Sequence, residues 1–171
     1  MTHVLPGTRL LASATVVAED PAEHSANKPS FYADPAAWLV AEAVDRALAE
    51  CAEPVLDDAD DTGIVVMSAT GSERTMRDIA RAALRSRVSP LRFAGANPGV
   101  LAGLSAIRHG LRGPSLVLAA DPDTAAPVAL TVIEGWLADG QARHVILAGL
   151  RPTPDGCLCR CEILTEPAGD R

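Results

Sequence analysis

Ser115-Leu116-Val117-Leu118-Ala119-Ala120-Asp121-Pro122-Asp123-Thr124 is the stretch on which the architecture turns. An apolar strand runs through two alanines into Asp121-Pro122-Asp123-Thr124, which reads as the entrance of a helix. Proline suits a first helical position, where its missing N–H has no partner to lose, and Asp123 or Thr124 can cap the free amides. Behind it Val128, Ala129, Val132, Ile133, Trp136 and Leu137 recur at helical spacing, and Gly140 ends the run. A strand passing directly into a helix is a common mount for a reactive side chain. No Cys, Ser or Lys stands on this one.

Working outward, Gly110 and Gly113-Pro114 bracket a tight turn into that strand, and Asn97 with Pro98 opens a helix through Leu101, Leu104, Ser105 and Ile107. Residues 73–87 fit a helix with Met76, Ile79, Ala80, Ala83 and Leu84 inward and arginines on the wet side. Residues 89–93 read as a connection. Ile64-Val65-Val66-Met67 is a buried-strand signal after an acidic turn over 57–63. Asp34-Pro35 caps a helix whose stripe is Ala36, Leu39, Val40, Ala43, Ala47 and Leu48, and residues 20–30 read as a loop. Residues 10–17 open as a short strand, expected to lie centrally. On the carboxyl side, residues 144–149 form a strand, 152–156 a turn and 157–164 a last strand. Strands and helices alternate, and unbroken apolar strands need cover on both faces. The expected class is α/β, a layered mixed sheet with helices on both faces.

The chain has 171 residues, enough for one domain that buries roughly 70% of its extended surface. Hydrophobic residues make up 48% and charged residues 22%, a globular balance. The net charge of -7 argues against a nucleic-acid or anionic-membrane binder. No apolar stretch is long enough for a membrane helix, and residues 1–17 lack the pattern of a secretory signal. The expectation is a soluble, cytoplasmic protein.

Cys157, Cys159 and Cys161 alternate, so on a strand all three thiols share a face. The simplest reading is a core face of small apolar side chains. A soft-metal or redox site is the sharper alternative, but tetrahedral zinc wants four ligands and His144 is the only other candidate nearby. No metal and no cofactor is expected.

The run Asn97-Pro98-Gly99-Val100-Leu101-Ala102-Gly103-Leu104-Ser105-Ala106-Ile107-Arg108-His109-Gly110-Leu111-Arg112-Gly113-Pro114-Ser115 resembles the segment leading to the active-site cysteine of β-ketoacyl synthases in the thiolase-like superfamily. Leu137-Ala138-Asp139-Gly140 and Val145-Ile146-Leu147-Ala148-Gly149 are similar to later parts of the same amino-terminal half. The resemblance implies one truncated thiolase-like half domain over residues 1–171, with Cys157 to Leu164 as its closing strand. It places Pro122 at the nucleophile's position, eight residues beyond Pro114. The family's chain-length factors also carry another residue in place of the cysteine and pair with an active synthase. Complete family enzymes add a second half with two catalytic histidines and a lysine, and hold a long excursion where this sequence has only the turn between Gly149 and Gly156.

The resemblance therefore implies a non-condensing accessory subunit of type II polyketide or fatty-acid-like synthesis. Its partner would be a second copy or a β-ketoacyl synthase, met through Ser115, Leu116, Val117 and Leu118. Arg108 and Arg112, with Arg143, could add a positive patch for an acidic acyl carrier protein. The rival is an enzyme acting on carrier-bound chains by dehydration, cyclisation, isomerisation or hydrolysis, with Asp121, Asp123 and His109 as acid-base candidates. The plain reading of Asp121 and Asp123 is a capped helix entrance, and that of His109 a packing or hydrogen-bonding residue.

Overall fold

Asp34 shows how a few local signals set the frame. In the computed structural model, which describes residues 7–28 and 31–167, its Oδ1 accepts the Ala36 amide at 2.8 Å and its Oδ2 accepts the Thr75 amide at 2.9 Å. One buried carboxylate thus caps α1 (Pro35–Glu50) and ties it to α2 (Glu73–Ala83). Asp34 as cap and Pro35 in the first turn agree with the sequence reading, and the stripe from Ala36 to Ala47 is buried with Leu48 half-buried at its edge. His3, Pro29 and Ser30 lie outside the described residues.

The remaining elements are β1 (Arg9–Ala18), β2 (Thr62–Ser68), α3 (Pro90–Ala94), α4 (Val100–His109), β3 (Ser115–Leu118), α5 (Pro122–Ala138), β4 (His144–Thr153) and β5 (Gly156–Thr165). A 3-10 turn spans Pro21–His24 inside the expected loop, and a 3-10 segment kinked at Asp58 spans Val55–Asp61, overlapping the expected acidic turn. The five strands form one mixed sheet in the order β1-β5-β4-β2-β3. β2 runs parallel to β3 and β4, while β5 is antiparallel to β4 and β1.

On one face α1 covers β1, β5 and β4, and α4 covers β2 and β3. On the other, α5 covers β2 and β4, and its own apolar side meets Val65, Met67, Val145, Leu147 and Leu164. The α/β architecture with helices on both faces is the one expected.

Three local expectations are corrected. The strand over residues 10–17 is an edge strand, because the tight hairpin at Pro154 and Asp155 brings β5 back between β4 and β1. Helix α2 stops at Ala83, and Met76 and Leu84 point outward, 52% and 89% exposed. What α2 buries is Thr75, beside Ser72, whose hydroxyl donates to the Ala96 carbonyl; the helix meets α3 rather than the sheet. The connection over 89–93 contains the short helix α3.

The cysteines follow the core reading. Cys159 and Cys161 are buried under α1, and Cys157 is half-buried at the rim. Burial pushes the Cys159 thiol up to about 12 and Cys161 well above its ordinary value.

Candidate functional site

The helix entrance that opens α5 is built by Asp121 and not by Asp123 or Thr124. Asp121 has extended backbone angles (φ -57°, ψ 138°), and its Oδ1 accepts the Asp123 amide at 3.0 Å. Its carbonyl accepts the Ala125 amide at 2.8 Å, which starts the helical ladder. Pro122 occupies the first helical position, buried against β4. Its ring lies so close to Gly149 that a Cβ there would come within 3.2 Å of the Pro122 Cβ. Gly149 is what lets the proline seat.

Beyond Pro122 lies a cavity of about 610 Å³ between the amino half of α5 and the carboxyl ends of the central strands. Met67, Ala126, Leu130, Leu147 and Leu158 give it an apolar lining. Two ion pairs form its polar parts. Arg151 donates to both Asp123 carboxylate oxygens, at 3.1 and 2.8 Å, and Arg160 sits 2.7 Å from Glu162. The Asp123 carboxylate pushes the Arg151 guanidinium further up its already high range. The first pair is exposed and worth at most about 1 kcal/mol. Glu162 is buried at 8% side-chain exposure, so removing Arg160 would strand a charge at a cost of about 3–5 kcal/mol.

Arg151, Arg160 and Glu162 were not singled out by sequence reasoning. Their signal was present: Arg160 and Glu162 alternate with the cysteines, so the strand that buries thiols on one face sends an ion pair to the other.

His109 lies elsewhere. It ends α4, on the opposite face of the sheet from α5, and its Nε2 is 2.7 Å from Asp45 on α1. Arg108 binds the other oxygen of Asp45 at 2.6 Å, so the two side chains fasten α4 to α1. Asp121, Asp123 and His109 therefore do not converge. Nor is the expected basic patch free. Arg112 meets Asp60 at 3.1 Å and Arg143 meets Asp58 at 3.2 Å, leaving each cation locally neutralised.

β3 is an edge strand of the sheet, next to β2. The Ile64 amide donates to the Pro114 carbonyl, so by alternation residues 116 and 118 hydrogen-bond towards β2 while 115 and 117 face outward along the free edge. Ser115 is exposed and Leu116, Val117 and Leu118 are half-buried.

Residues 18–162 match the family model described as the β-ketoacyl synthase N-terminal domain. Among solved structures, the ishigamide ketosynthase/chain length factor is similar with a TM-score of 0.73 at 17% identity, over 96% of this chain and 64% of that one. The complex of a ketosynthase (ApeO) with its chain length factor (ApeC) from Xenorhabdus doucetiae gives 0.67 at 15% identity, over 96% and 81%. A type II acyl-carrier protein in complex with its ketosynthase bound to the hexaketide (AntDE:AntF) gives 0.73 at 13%, over 94% and 62%. The chain thus spans less than two thirds of two of these three relatives. No curated protein sequence matches it.

Proposed function

The chain belongs to the β-ketoacyl synthase N-terminal domain family, and from that premise we propose that it is a non-condensing partner subunit, paired with a β-ketoacyl synthase in type II polyketide or fatty-acid-like synthesis. The observation that carries the reading is Pro122 at the entrance of α5, the place the sequence resemblance gives to the nucleophile. Condensation needs a thiolate to hold the acyl group and N–H donors for the developing oxyanion. Proline has neither a thiol nor an N–H, and the neighbouring Asp123 amide is already taken by the Asp121 carboxylate.

The partner surface in this reading is the β3 edge. Backbone groups on an open edge pair readily with another strand, and two half-buried leucines and a valine lie along it. The carrier protein is met by the synthase in this arrangement, since Arg108, Arg112 and Arg143 are each occupied by an aspartate.

Co-expression with a type II β-ketoacyl synthase and its acyl carrier protein tests the proposal. The expected result is co-purification with the synthase, and carrier-bound chain growth, read by intact mass, only when the synthase is present. Modification of the carrier by this chain alone, abolished in Asp123→Asn, would replace the proposal with the acid-base enzyme.

A further inference from the structure

We draw no further inference here: the strongest candidate, the surface patch on α2 and α3 where Met76, Leu84, Leu91 and Phe93 stand exposed beside Arg85 and Arg87, is an unpartnered apolar face, and nothing in the structure shows what covers it.

Discussion

Cys159 and Cys161 set a measurable alkaline limit on this fold. In an unfolded chain both thiols titrate near their ordinary value of 9.0, while burial holds Cys159 up to about 12 and Cys161 well above 9. Below pH 9 the folded and unfolded chains carry the same thiol protons, so stability is unaffected. Above it the unfolded chain releases protons that the folded chain keeps, and stability falls by about 1.4 kcal/mol per pH unit for each thiol. Urea unfolding at pH 8 and again near pH 10.5 should show this loss, and Cys159→Ala with Cys161→Ala should flatten the slope even if it lowers stability overall. An unchanged slope in the double variant would mean that other groups carry the alkaline response. The thiol face was readable because strand alternation fixes which side chains share a side. The ion pair of Arg160 and Glu162 follows from the same alternation, but its apposition to Asp123 and Arg151 depends on β5 folding back beside β4, which no local pattern encodes.

Among the elements, α1 was legible because cap, proline and apolar stripe agree, whereas α2 was misread for a physical reason. Periodicity says that Met76 and Leu84 share a helix face; it does not say that anything covers the face, and here nothing within the described chain does. The strand at residues 10–17 was misplaced in the same way, since composition marks a strand but the β4–β5 hairpin decides who sits at the edge. β3 offers the cleaner test of an element. Val117 directs its N–H outward along the free edge, so Val117→Pro removes a donor that the β2 ladder does not use. The variant should still fold, with a urea midpoint lowered by the core packing that the Val117 side chain gives up, yet fail to co-purify with the synthase. Undiminished capture would show that the synthase is met elsewhere.

At the scale of the molecule, the two edges lie at opposite margins of one sheet. β3 is the last strand on one side and β1 the last on the other, roughly 15–20 Å away at ordinary strand spacing. A strand docked on β3 therefore leaves β1 untouched, and the sheet between them is held by buried β2, β4 and β5. If each copy offers its β3 edge to one synthase, the assembly holds the two chains in equal numbers. Native mass spectrometry of the purified complex should then give that ratio, and Val117→Pro should leave this chain with no synthase attached. A complex in which synthase chains outnumber this one would show a second binding surface beyond β3, and one that survives Val117→Pro would place the synthase away from that edge.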